Sequence, residues 1–122
     1  MDFIKVIALI SVFTLCLDYI YLNSFSNYFS KVFKEIQGSK LQLYLPGAIL
    51  CYYLMIFTIY YFGFVKQLST FDMFLLGFCI YGIYDFTNLA TIKKWPIFLV
   101  MIDVTWGAFL FSSVHYLVHY FL

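Results

Sequence analysis

Three aspartates lie inside stretches of sequence that are otherwise almost entirely apolar: Asp18, Asp85 and Asp103. A carboxyl group at membrane depth costs at least a few kcal/mol, roughly 2.5–3.5 kcal/mol at the centre of a spanning helix, so it is rarely found there without a partner or a function. A buried carboxyl group binds a proton, binds a cation, or accepts hydrogen bonds that hold helices together. We therefore take these three residues as the first candidates for a functional site.

The composition indicates a chain that lies in lipid. Of its 122 residues, 65% are hydrophobic and only 11% are charged, whereas a soluble domain carries about 25% charged residues. The seven basic residues are all lysines, and the absence of arginine and of a basic stripe argues against nucleic-acid binding. An integral membrane protein is predicted, with the lipid bilayer as its surroundings.

Four segments are long and apolar enough to span a bilayer, which requires about 20 residues each. They cover residues 3–22, 43–64, 71–92 and 95–120. We expect an all-α polytopic membrane protein, formed by a single membrane domain over residues 1–122 with its four helices in an antiparallel bundle. Pro46 and Pro96 are placed in the first turns of the second and fourth spans, where proline is tolerated.

The connection between the first and second spans, residues 23–42, carries apolar residues at helical spacing with charged residues between them. This pattern predicts a short amphipathic helix that ends at Gly38 and lies in the membrane interface. A loop packed under the bundle is the alternative.

The lysines predict the orientation of the chain. Five of them lie on one side of the predicted membrane, and only Lys5 and Lys66 lie on the other. By the positive-inside rule, the first and third loops are expected in the cytoplasm and both termini outside.

The three aspartates are predicted to lie in the same half of the membrane. At 1.5 Å per residue, Asp18, Asp85 and Asp103 lie about 6, 10 and 12 Å from the lysine-rich face. Polar or aromatic residues share a helical face with each acid, at spacings of three or four positions. These expected neighbours are Thr14 and Tyr21 for Asp18, Tyr81 and Asn88 for Asp85, and Trp106 and Gly107 for Asp103. With no lysine among them, we expect at least one acid to be protonated or a bound cation to supply the missing charge.

The remaining reactive side chains predict little chemistry. Cys16, Cys51 and Cys79 lie in apolar spans and form no CxxC pair, so they are expected to be packing residues. His115 and His119 are four positions apart, but two ligands do not make a metal site, and we expect interfacial histidines. No cofactor and no resident metal are predicted, and no nucleophile elbow, phosphate loop or HExxH motif is present.

The stretch from residue 81 to residue 107, YGIYDFTNLATIKKWPIFLVMIDVTWG, resembles the signature of a family of small membrane proteins, domain-of-unknown-function family 2177. The resemblance rests on a Y-D-x-T-N-L-A-T-x-K-x-W-P element that begins at Tyr84 and on a D-x-x-W-G element that begins at Asp103. It implies a four-helix membrane protein of bacterial or viral type and brings no known activity. The L-D-Y-I-Y-L stretch that begins at Leu17 also resembles the family's D-x-x-W-L element, with Tyr21 where tryptophan is usual. The resemblance therefore singles out the same three aspartates as the membrane argument does.

These observations predict a small membrane protein whose acidic site binds or conducts a cation, a proton or a small polar solute. Asp85 and Asp103 are the principal site residues because they lie deepest, with Asp18, Asn88, Tyr81 and Trp106 as secondary contributors. A chain this short has little room for a pathway within one copy, so a homo-oligomer, a dimer or larger, is expected.

An enzymatic role is less favoured. The alternatives are a membrane-embedded enzyme or assembly factor that acts on a lipid or isoprenoid, and acids that only lock the helices together.

Overall fold

The fold consists of four long helices and one short helix, in a computed structural model that describes residues 2–122. Helix α1 covers Phe3–Ser24, α2 covers Ser26–Gln37, α3 covers Leu45–Tyr60, α4 covers Thr70–Thr91 and α5 covers Ile97–Phe121. A π-helical turn, Tyr61–Val65, extends α3. The four long helices are each long and apolar enough to cross a membrane. The predicted all-α architecture with four spans and a short helix between the first two is confirmed.

The helix ends follow the local sequence. The Asp2 side chain caps α1 by accepting from the Ile4 N–H at 3.0 Å, and Gly38 ends α2 in the left-handed conformation that favours glycine, with a φ of 74°. Pro46 lies in the first turn of α3 as predicted. Pro96 differs from the prediction: it directly precedes α5 in an extended conformation, and the helix begins at Ile97.

Helix α5 is the central element of the bundle. In its most apolar 18 residues 44% of positions are buried, against 17–22% in the other three spans. Its buried residues Leu110, Phe111, Val114 and Val118 pack with residues of α1, α3 and α4 in one apolar cluster. The outer faces of the other spans carry exposed Leu, Ile, Phe and Tyr side chains, as expected for surfaces that contact lipid.

Helix α2 packs against one end of the bundle. Its buried residues Phe29 and Val32 join a second apolar cluster with Trp95, which precedes α5, and Leu99 in the first turn of α5. Tyr28 and Phe98 also meet edge to face, with ring centroids 5.3 Å apart. The connection is therefore helical, as the pattern predicted, and its apolar face is covered by the bundle.

Two glycines allow α4 and α5 to approach each other closely. A Cβ atom placed on Gly77 would collide with the carbonyl oxygen of Gly107 and lie 2.8 Å from the Cβ of Phe111. On the other helix, the ring of Tyr81 covers Gly107 so closely that a Cβ there would overlap it. Small residues at a helix crossing are the usual means of close packing between membrane helices.

This contact predicts different effects for two glycine substitutions within α4. Gly77→Ala is expected to destabilise the protein by about 1–3 kcal/mol, because the added methyl group meets main-chain atoms that cannot move aside. Gly82→Ala is the matched control, since its added Cβ would have Val104 Cγ1 at 4.0 Å as its nearest neighbour. Thermal unfolding in detergent measures the difference. Equal unfolding temperatures for the two variants would contradict the close crossing.

Candidate functional site

The Asp18 carboxylate connects three helices. One of its oxygens, Oδ1, accepts a hydrogen bond from the indole N–H of Trp106 on α5, at 3.0 Å. The other, Oδ2, accepts a short hydrogen bond from the hydroxyl of Tyr52 on α3. Asp18 is itself buried on α1. Both oxygens are therefore satisfied by donors from other helices.

Within residues 2–122, the carboxyl group of Asp103 accepts a hydrogen bond at one of its two oxygens. Its Oδ1 accepts from the hydroxyl of Tyr21 on α1 at 2.9 Å, and the residue is half-buried. The ring of Tyr21 stacks on the indole of Trp106, with centroids 4.7 Å apart and planes at 5° to each other.

These contacts form a reciprocal exchange between α1 and α5. Tyr21 on α1 donates to Asp103 on α5, while Trp106 on α5 donates to Asp18 on α1. The helical spacing paired Tyr21 with Asp18 and Trp106 with Asp103, and the structure pairs them the other way. Thr14, the second expected neighbour of Asp18, is fully buried, and its hydroxyl has no partner among the residues that the structure describes.

Asp85 is the least satisfied group in the acidic half. It is 0% exposed, and neither of its carboxyl oxygens has a hydrogen-bond partner within residues 2–122. The carboxyl group of Asp103 and the indole of Trp95 lie beside it. The Trp95 N–H is also buried without a partner in this part of the chain. A buried polar group without a hydrogen bond costs about 1–3 kcal/mol, and more when charged, so this carboxyl is expected to hold a proton or a cation.

The other two predicted site residues lie near the acids without bonding to them. Tyr81, expected to donate to Asp85, instead directs its hydroxyl toward the sulfur of Met55, 4.0 Å away. The Asn88 side chain lies beside the hydroxyl of Tyr84, and no hydrogen bond joins it to an aspartate in the described residues. Helical spacing placed both residues on the same face of α4 as Asp85, but a shared face does not specify which atoms meet.

Two contributors were missed in the sequence. Tyr52 is one of two adjacent tyrosines in the second span, and nothing in the residue pattern distinguishes it from the exposed Tyr53. Trp95 is part of the element that begins at Tyr84 but was not among the predicted site residues, and the structure buries it beside Asp85. Its position one residue before Pro96 was the available signal, because the chain must turn back toward the bundle there.

A cleft of about 400 Å³ lies next to the acidic cluster, lined by Cys51, Met55, Ile80, Tyr81, Tyr84 and Asp103. These residues come from α3, α4 and α5. Cys51, Ile80 and Tyr84 are exposed, so the cleft lies at the outer surface of the bundle. Asp103 is the one acid among its lining residues, with Asp85 beside it and fully buried.

The acidic site combines adjacent carboxyl groups with neutral hydrogen-bond donors. Within residues 2–122, no group of three or more His, Cys, Asp or Glu side chains is placed to share a metal ion. Two adjacent carboxyl groups without a lysine can share one proton, since like charges so close do not both ionise readily. The three aspartates form one cluster but differ in how many hydrogen bonds they accept within the described residues. Asp18 accepts one at each oxygen, Asp103 accepts one at a single oxygen, and Asp85 accepts none.

The fold and this cluster define a small multi-pass integral membrane protein with an acidic half. A family model described as "Predicted membrane protein (DUF2177)" matches residues 3–120. The chain belongs to this family, as its Tyr84–Pro96 and Asp103–Gly107 elements indicated. No curated protein matches it significantly, and no solved structure does.

The exchange between α1 and α5 predicts the effect of removing one hydroxyl group. Tyr21→Phe keeps the stack on Trp106 and removes the donor to Asp103, so it is expected to lower stability by about 0.6 kcal/mol and by no more than about 2 kcal/mol. Tyr19→Phe is the matched control, because Tyr19 is 69% exposed on the same helix. Chemical unfolding in mixed micelles measures both. A loss in Tyr19→Phe equal to that in Tyr21→Phe would contradict the assigned bond.

Proposed function

We propose that this protein binds a proton, or a small cation in its place, at the carboxyl pair of Asp85 and Asp103, and that this site serves transport across the membrane. The observation that carries the proposal is the complete burial of Asp85 with both oxygens unpartnered. A proton shared with Asp103 would satisfy an oxygen on each residue without any further partner.

The charges in the sequence support this proposal. Lys5 is in the first turn of α1 and lies thirteen residues from Asp18, which is about 20 Å along the helix. The nearest lysine to Asp85 along the chain is Lys93, beyond the end of α4. Because no lysine lies at the depth of the acids, a proton or cation is the simplest source of the missing positive charge.

Access to the pair is proposed through the cleft between α3 and α4. Asp103 is the acid that lines it, and its Oδ1 is held in place by Tyr21. An ion that arrives from the cleft would meet Asp103 first and Asp85 behind it. Tyr81 and Tyr84 line the same cleft and offer aromatic faces that attract cations.

Assembly and orientation complete the proposal. The cleft opens on the outer surface of the bundle, where lipid or a second copy of the chain would cover it, so a homo-oligomer would convert it into an enclosed pathway. By the distribution of lysines, the acidic half faces the cytoplasm and both termini lie outside.

The Asp18 carboxylate has a different proposed role. Its two oxygens are both occupied by donors from α3 and α5, so it is proposed to hold helices together rather than to take up an ion. This is the helix-locking role considered in the sequence, assigned to one acid of the three.

Two measurements test the proposal in the whole protein. Asp85→Asn and Asp103→Asn are expected to abolish proton or cation flux in proteoliposomes, because an amide cannot take up a proton as a carboxyl group does. Infrared spectroscopy is expected to show the carbonyl band of a neutral carboxyl group at neutral pH, and to lose it in the Asp85→Asn variant. The infrared measurement reports binding even where the protein conducts slowly.

Asp72→Asn is the matched control, since Asp72 lies in the first turn of α4 outside the acidic cluster. It is expected to leave both the flux and the band unchanged. A wild-type protein with neither ion flux nor a neutral carboxyl band would contradict the proposal, as would flux that persists in Asp85→Asn.

The cleft also favours a second candidate, a membrane-embedded enzyme or assembly factor for a lipid or isoprenoid. Its walls are mostly apolar and aromatic, and it has a carboxyl group among its lining residues. In that case one protonated aspartate would act as general acid and its neighbour as base. A defined lipid that co-purifies with the wild type and is lost in Asp103→Asn, without ion flux, would favour this candidate.

A further inference from the structure

The two histidines of the chain meet at the opposite end of the bundle from the aspartates. His115 and His119 lie one turn apart on α5, with their Nε2 atoms 3.1 Å apart. His115 is buried and His119 is exposed. The ring of Phe64 stacks on His119 with centroids 4.5 Å apart, which holds the exposed imidazole beside the buried one.

A main-chain oxygen lies at the same point. The carbonyl oxygen of Gly63, in the π-helical turn that follows α3, lies 3.3 Å from His115 Nε2. The N–H of Leu68 donates to the Phe62 carbonyl oxygen, so it does not occupy that of Gly63. Segments of π-helix occur frequently at functional sites because they redirect main-chain groups of this kind.

We propose that His115 Nε2, His119 Nε2 and the Gly63 carbonyl oxygen bind a divalent transition-metal ion of the Zn²⁺ or Cu²⁺ type. Zinc is held tetrahedrally with ligand distances of about 2.0–2.1 Å, which places neighbouring ligand atoms about 3.3 Å apart. The two separations in the structure, 3.1 and 3.3 Å, are both close to this edge. Imidazole nitrogen is a preferred ligand for these metals, and a water molecule would complete the coordination.

His115 has a hydrogen-bond partner at its second ring nitrogen, as histidines that bind metals usually do. Its second ring nitrogen, Nδ1, lies 2.9 Å from the hydroxyl oxygen of Thr70. Nδ1–H donation to that oxygen leaves Nε2 unprotonated and available to a metal, and outer partners of this kind fix the orientation of ligating histidines. Glycine at position 63 leaves room for the imidazole of His115, since a Cβ on Gly63 would lie 2.8 Å from His115 Cδ2.

This site is independent of the acidic pair and of any transport through it. The two side-chain ligands alone are too few for a metal site, which is why the sequence did not predict one. The third ligand is a main-chain atom, and only the fold shows where it lies.

Titration calorimetry of the full-length protein in detergent with Zn²⁺ tests the inference. The wild type is expected to bind one Zn²⁺ per chain. His119→Phe keeps a ring against Phe64 and removes one ligand, so binding is expected to be lost. Thr70→Val is expected to weaken binding by about 10–100-fold with both histidines in place, as loss of an outer partner typically does.

Thr91→Val is the matched control, since it makes the same substitution in the last turn of α4 and is expected to bind Zn²⁺ like the wild type. Because the chain has only two histidines, nitrogen splitting in the Cu²⁺ electron paramagnetic resonance spectrum should report two imidazoles in the wild type and one in His119→Phe. No Zn²⁺ binding by the wild type would overturn the inference, and so would unchanged binding by His119→Phe, which would assign the ligands to cysteines or carboxylates.

Discussion

The exchange of hydrogen bonds between α1 and α5 is the constraint on which the acidic half depends. Tyr21 and Trp106 each donate to an aspartate on the other helix, and their stacked rings fill the space between. Both of these hydrogen bonds form only when the two helices are in one register. Apolar side chains alone do not provide such a register within lipid, because lipid tails are as apolar as they are.

The position of Asp85 follows from this register together with the glycine crossing. Gly77 lets the backbone of α4 approach the Gly107 carbonyl of α5 directly, and Gly107 leaves room for the ring of Tyr81. Asp85 is therefore enclosed beside Asp103 on the face where α4 and α5 meet. Helix α3 contributes Tyr52 to Asp18 and otherwise leaves a cleft beside α4. Tyr81 belongs to both features, since its ring covers Gly107 at the crossing and it also lines the cleft.

Residue patterns predict properties of single helices well and contacts between helices poorly. The spans, the end of α2 at Gly38 and the shared depth of the three aspartates depend on hydropathy, turn chemistry and helical rise, all of which are local. The partners of Asp18 and Asp103 depend on which helices are neighbours. Spacing of three or four positions identifies a helical face. Tyr21, however, could donate to Asp18 on its own helix or to Asp103 on α5. Only the packing of α1 against α5 selects Asp103. Tyr52 illustrates the same limit, since its neighbour Tyr53 has the same chemistry and faces outward.

The graded bonding of the three aspartates gives a physical reason to separate structure from function within one cluster. Asp18 accepts a hydrogen bond at each oxygen, and it would lose these bonds if it took up another partner. Asp85 has no donor to lose, so binding a proton or cation there removes a desolvation cost without breaking any contact in the fold. Asp103 is intermediate between these two cases. Tyr21 donates a hydrogen bond to one of its oxygens, and its carboxyl group lies beside Asp85. In the proposed function, Asp103 would therefore stand between the buried Asp85 and the surface cleft, with one oxygen held by Tyr21.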